Sequence, residues 1–245
     1  MRRGRRYGAL LGPLLAGGAP PEVVADAAHG LGLPERGRFA VVVLGAPVPE
    51  AVAAEGPDAD GTRWWWGRAE RSPEAEEGDV AVVLLGGAGP AGAVARLMER
   101  GAGPGGMSPV VGSPAELGAA RRLAGTALLT CAPGAREVVR LDERLPAALL
   151  VRRPELASRL LAQVLGPLLE RGPAERAALV GAVEAWLECG GSVGRAAVRL
   201  GCHRNTVFNR LRRLERLTAR SLTRPPELVE LVLALEALRL ARGAS

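Results

Sequence analysis

The sequence predicts an α+β protein, with an N-terminal sheet-and-helix domain followed by an all-α domain, and three observations predict it. Short β-branched runs ended by glycine stand at 39–45 (FAVVVLG) and 79–87 (DVAVVLLGG), the pattern of strands buried on both faces. From Leu145 onward the apolar residues recur at helical spacing almost to the C-terminus. Inside that half, Ser192 to Leu217 reads as two short helices joined by a turn at Gly201.

The chain has 245 residues and is 48% apolar, which argues for one to three small folded domains and against disorder. Three widely spaced cysteines, Cys131, Cys189 and Cys202, do not make a disulfide framework and point to a reducing cytoplasm. The opening basic residues followed by a short apolar run have the outline of a signal peptide, but Pro13 interrupts the run. No stretch approaches the roughly 20 apolar residues of a membrane helix. The expected location is cytoplasmic, with no membrane partner.

Taken in order, residues 10–33 predict two short helices broken at Gly17-Gly18 and Pro20-Pro21. The first strand follows at Phe39. Thr62 to Arg68, with three consecutive tryptophans, predicts another strand on which Trp64 and Trp66 share one face and Trp65 takes the other. Two readings of these rings stand: core and edge packing, or a pocket for a planar effector. After the 79–87 strand, Ala91 to Arg100 predicts a helix, SPVVGSP (108–114) a strand and Pro114 to Leu129 a second helix. Glu137 to Leu141 closes a sheet with helices expected on one face. Pro154 to Glu170 carries a leucine stripe and is expected to connect the two domains. Pro173 to Cys189 and Pro225 to Leu240 predict two further helices. Leucines at 228, 231, 235 and 238 make the last stripe broad, so it serves the core or faces a second copy. The resulting division is 1–38 as a helical leader, 39–145 as the α+β domain, 146–172 as the connecting helix and 173–245 as the helical domain.

The Ser192–Leu217 stretch carries the chemistry. Val193, Ala196, Ala197 and Leu200 form one inward stripe, and the small alanines let a second helix approach closely. Gly201 falls where a helix end favours positive φ. The second helix, about Asn205 to Leu217, buries Val207, Leu211, Leu214 and Leu217 and opens on the donor-rich His203-Arg204-Asn205-Thr206. This is the layout of a helix-turn-helix, whose second helix enters the DNA major groove. Charge agrees. Ser192 to Arg224 holds nine arginines and one glutamate, +8, whereas the whole chain is +6, so the remainder carries −2.

GCHRNTVFNRLRRLERLT (201–218) closely resembles the C-terminal helix-turn-helix of PucR/CdaR-type bacterial regulators. The likeness extends through LLAQVLGPLLERG (160–172), AVEAWLECGGSVGRAA (182–197) and LTRPPELVELVLALEALRL (222–240). Departures are Phe208-Asn209 where relatives carry a basic-Tyr pair, Thr218-Ala219 where they carry Thr-Gly, and Leu179-Val180-Gly181-Ala182 at the preceding helix. The first changes side chains that read DNA; the others fall on helix ends and packing. The resemblance implies that 39–145 is a degenerate GGDEF-like domain, related in fold to diguanylate cyclases. A cyclase needs carboxylates for magnesium and a phosphate-cradling loop. Gly86-Gly87-Ala88-Gly89-Pro90 supplies glycines without an Asp-Glu pair, so no enzyme activity is expected.

The residues expected at DNA are His203, Arg204, Asn205, Thr206, Asn209, Arg210 and Arg213, since arginine pairs with guanine and asparagine with adenine through two hydrogen bonds each. Arg212 and Arg216 are assigned to phosphate or solvent. His203, Cys202 and Cys189 lack the number and spacing of a metal site, and no catalytic set or cofactor is expected. The reading is a sequence-specific DNA-binding regulator of a metabolic operon. Its expected partners are double-stranded DNA, a second copy in a homodimer or higher homo-oligomer, and a small-molecule effector. The rival is an oligomerisation or nucleotide-sensing protein that does not bind DNA.

Overall fold

The computed structural model describes residues 8–49, 57–68, 78–132 and 134–241. The chain divides into two compact units, 1–152 and 153–245. The boundary falls inside the stretch expected to connect two domains.

In the first unit, α1 (Gly8–Ala16) and α2 (Pro21–Gly30) precede β1 (Phe39–Leu44), β2 (Arg63–Arg68) and β3 (Asp79–Leu84). Then come α3 (Gly89–Glu99), β4 (Gly105–Met107), α4 (Leu117–Leu128), β5 (Val138–Arg140) and α5 (Leu145–Arg152). The sheet order is β2-β3-β1-β4-β5. Every pair is antiparallel except β4 and β5. In register, Val82 of β3 lies between Val41 and Trp65.

The period-2 alternation of the strands feeds two cores. Phe39, Val41, Val43, Trp65, Val80 and Val82 pack with α1, α2 and α4. Ala40, Val42, Leu44, Trp66, Ala81 and Val83 pack with α3 through Ala93 and Leu97. Helices therefore cover both faces, not the one face expected, because β1 is apolar throughout and β3 from Val80 to Leu84, and each face must be buried. Leu11, Leu14 and Leu15 of the N-terminal apolar run are buried against this sheet.

The fourth strand corrects the expectation. It is Gly105–Met107, upstream of the β-branched 108–114 segment, which contributes a single bridge from Val111 to Phe39. A Cβ at Gly106 would stand 2.2 Å from the Ala124 carbonyl oxygen, so the glycine is what lets α4 lie on the strand.

The tryptophans divide between the faces as the alternation predicts. Trp64 and Trp66 stack with centroids 5.8 Å apart and planes 7° apart. Trp65 is buried, donates Nε1 to the Leu31 carbonyl at 3.1 Å, and has Arg63 over its ring at 4.9 Å. Packing accounts for these contacts, and the effector-pocket reading of Trp65 finds no open ring there.

The second unit is all helix: α6 (Pro154–Leu169), α7 (Pro173–Glu188), α8 (Val193–Arg199), α9 (Arg204–Thr218) and α10 (Pro225–Ala241). Val164, Leu165 and Leu168 of α6 share one core with Leu179 and Val183 of α7, Ala196 of α8, Val207, Leu211 and Leu214 of α9, and Leu231, Leu235 and Leu238 of α10. Among the described residues, no helix is long and apolar enough to cross a membrane.

Candidate nucleic-acid interface

Two glycine turns set the angles of the helices. α7 ends with Gly190 and Gly191 at positive φ, the Gly190 N–H donating to Leu187 and the Gly191 N–H to Trp186. α8 ends alike, with Gly201 at φ +60°, its N–H donating to Val198, and the Cys202 N–H donating to Ala197. Both are Schellman closures, in which a left-handed residue lets the chain reverse while the last carbonyls keep donors. Ser192 caps α8 by accepting from the Arg195 N–H at 3.3 Å. Ala196 and Ala197 are buried, which brings α8 against α9.

α9 is capped by the side chain of His203, whose Nδ1 accepts the Asn205 N–H at 3.2 Å. Val207, Leu211, Leu214 and Thr218 face the core, and the Thr218 hydroxyl donates back to the Leu214 carbonyl at 2.9 Å. The opposite stripe is exposed: Arg204, Asn205, Phe208, Asn209, Arg212, Arg213 and Arg216. His203 is exposed as well, and Thr206 and Arg210 are half-buried at the stripe's flanks. The seven residues expected at DNA therefore gather on the first three turns of α9 and the residue before it.

Ion pairs sort the arginines. Arg213 is held by Glu175 of α7, its Nε donating at 2.6 Å. Arg199 pairs with Glu188, Arg220 with Glu230 and Arg224 with Glu227. Arg195 donates to the Cys189 carbonyl at 2.6 Å. Arg204 and Arg210 have no ion pair among the described residues. Arg212 lies over the Phe208 ring at 5.3 Å, and Arg216 reaches only the Arg212 carbonyl. The +8 counted along the sequence is thus partly met by acids from α7 and α10, and most of the charge left unmatched among the described residues lies along α9. The sequence reading named Phe208 as a departure and assigned Arg212 to phosphate or solvent, but placed neither among the residues expected at base edges. A helical wheel phased on Val207, Leu211 and Leu214 puts both outside. An open hollow of about 380 Å³ past the end of α9 is lined by Arg212, Arg216 and Arg220 together with Glu215 and Glu227.

The end of α9 holds a strained residue. Ala219 sits in the left-handed region at φ 50°, ψ 34°, which costs an L-residue roughly 1–2 kcal/mol that glycine avoids. Ala219→Gly is expected to raise stability by about 1 kcal/mol. Gly201→Ala should lower it by about the same amount, because a Cβ there meets nothing within 4 Å and only the backbone is strained. Urea midpoints of the two variants should move in opposite directions.

In the first unit, the glycine-rich 86–90 loop has its amides occupied from within. The Gly86 N–H donates to the Thr62 hydroxyl, Gly87 to the Asp60 carbonyl and Ala88 to the Asp60 carboxylate. Arg96 grips the same carboxylate at 2.7 and 3.0 Å. Arg96, chiefly, with the Thr62 and Ala88 N–H groups and the Thr62 hydroxyl, holds Asp60 far below the ordinary carboxylate range against the opposing effect of burial. A depressed carboxylate contributes stability in full above its unfolded value near 3.8 and loses it as pH falls through the lower folded value. Asp60→Asn is expected to lower the melting temperature at pH 7 by several degrees and to make the loss below pH 4 shallower. A melting series from pH 7 to pH 2 checks both. Among the described residues no group of three or more His, Cys, Asp or Glu side chains gathers.

A three-helix arrangement with a short glycine turn, a capped second helix and a basic outer stripe defines a helix-turn-helix domain. Residues 179–237 match the family model of the PucR C-terminal helix-turn-helix domain. Uncharacterized proteins of Mycobacterium tuberculosis and Mycobacterium bovis are 35% identical over 92 residues, 38% of this chain. The match spans 21% of those relatives' length. The crystal structure of a regulator of polyketide synthase expression from Bifidobacterium adolescentis aligns over 97% of this chain and 99% of its own, at 21% identity and TM-score 0.43.

Proposed function

We propose that the chain is a cytoplasmic transcriptional regulator that reads duplex DNA with α9 and controls a metabolic operon. The observation that carries the reading is the exposed α9 stripe with its half-buried flank, where Arg204, Arg210, Arg212 and Arg216 have no carboxylate partner among the described residues and stand beside Asn205 and Asn209. Arginine and asparagine are the side chains that bond guanine and adenine with paired donors and acceptors, and the helix N-terminus brings them to base edges. Arg213, tied to Glu175, orients α9 on α7 and exchanges that partner for a phosphate on DNA. Two copies place their α9 helices in successive major grooves, about 34 Å apart. The α+β unit, GGDEF-like and with its glycine loop filled by Asp60, pairs the copies or responds to an effector rather than turning over a nucleotide.

The first test is anisotropy of a labelled mixed-sequence duplex at 50 to 200 mM salt. About four phosphate contacts per protomer, about eight for the pair, predict a loss on the order of 10⁴-fold in affinity over that range. Absence of binding at 50 mM salt would overturn the reading and favour an oligomerisation protein.

A further inference from the structure

Phe208 has no place in the core. Its ring is 47% exposed in the middle of the α9 stripe, one turn from Arg204 and one turn from Arg212. The Arg212 guanidinium lies over the ring at 5.3 Å, so the two side chains hold each other away from α9's packed side. A large exposed apolar ring among donors fits a partner that presents small apolar groups within a field of acceptors. A protein partner is disfavoured, since the centres of such interfaces are depleted of charge and this ring is ringed by Arg204, Asn205, Asn209 and Arg212. The major groove supplies the required combination, in which the thymine C5 methyl projects beside base-edge acceptors and phosphates.

We propose that Phe208 is a specificity-determining residue that contacts a thymine methyl in each half-site, while Arg212, lying over the ring, reaches the neighbouring phosphate. This rests on α9 being the DNA-reading helix. It adds an apolar contact to the hydrogen-bonding readout expected of Arg204 and Asn205, and it selects thymine over cytosine at one position.

The test uses the full chain and the duplex it enriches from a random pool. Each thymine is replaced singly by deoxyuridine, which removes only the methyl group. The expected result is one position per half-site at which wild-type affinity falls about fourfold, the effect of one buried methyl-sized group. Phe208→Ala should bind the thymine duplex about tenfold more weakly and be insensitive to the same replacement. Its melting temperature should match wild type, because the ring is outside the core. Arg212→Gln should reduce the salt slope by about one unit while keeping the methyl preference. An enriched motif in which no thymine is methyl-sensitive, or an equal deoxyuridine effect in Phe208→Ala, overturns the role of Phe208 and leaves α9 as the reading helix. Failure to enrich any motif overturns the DNA-reading assignment itself.

Discussion

Leu214→Ala is expected to cost the C-terminal unit about 3–4 kcal/mol. Leu214 is fully buried, and its neighbours in the core come from α6, α7, α8 and α10 as well as α9. Truncation removes the transfer energy of its side chain and leaves a cavity that close-packed neighbours on several helices cannot collapse into. A domain of this size is stable by only about 5–15 kcal/mol, so the change is a large share of the total. Urea unfolding followed by helical circular dichroism should show an earlier transition for this unit. DNA binding should weaken only as the unfolded fraction grows. A loss below about 1 kcal/mol would mean that the side chain is not enclosed as described.

Arg204→Ala combined with Arg210→Ala is expected to reduce affinity for the enriched duplex by about 100-fold or more. A single base-reading arginine is worth about 1–3 kcal/mol, and a phosphate contact changes the salt slope by about one unit. Both substitutions leave folding intact, since neither side chain has an ion pair among the described residues. The pair separates the roles: loss of affinity with an unchanged slope marks base contact, and a flattened slope marks phosphate contact. Arg199→Ala, whose partner is Glu188, serves as the comparison and should change affinity far less.

Local rules made much of this legible in the sequence. Gly201 at a positive-φ helix end, Ala196 and Ala197 at a close approach, and the alternation of Trp64, Trp65 and Trp66 follow from backbone sterics and side-chain periods. The order of strands and helices in the first unit followed from the same periods. Three features were not legible, for one common reason: they depend on residues distant in the chain. β4 is two glycines and a methionine, a poor strand by propensity, and only α4 lying against Gly106 explains it. The acids that quench Arg213 and Arg199 come from α7, so a charge count along one window overstates the exposed charge. The Asp60 carboxylate that fills the 86–90 loop lies far upstream of it, so the glycine run showed no Asp-Glu pair but not the group that occupies its amides. Phe208 was legible as a departure among the side chains that read DNA, and the phase of Val207, Leu211 and Leu214 puts it outside the core.

The central claim is that α9 reads sequence, and selection from a random duplex pool at about physiological salt tests it most directly. The account predicts an enriched motif with two half-sites whose centres lie one helical turn apart, lost when Arg204 and Asn205 are both replaced by alanine. Salt-sensitive retention of duplexes with no enriched motif would contradict it, leaving a basic helical surface without base readout.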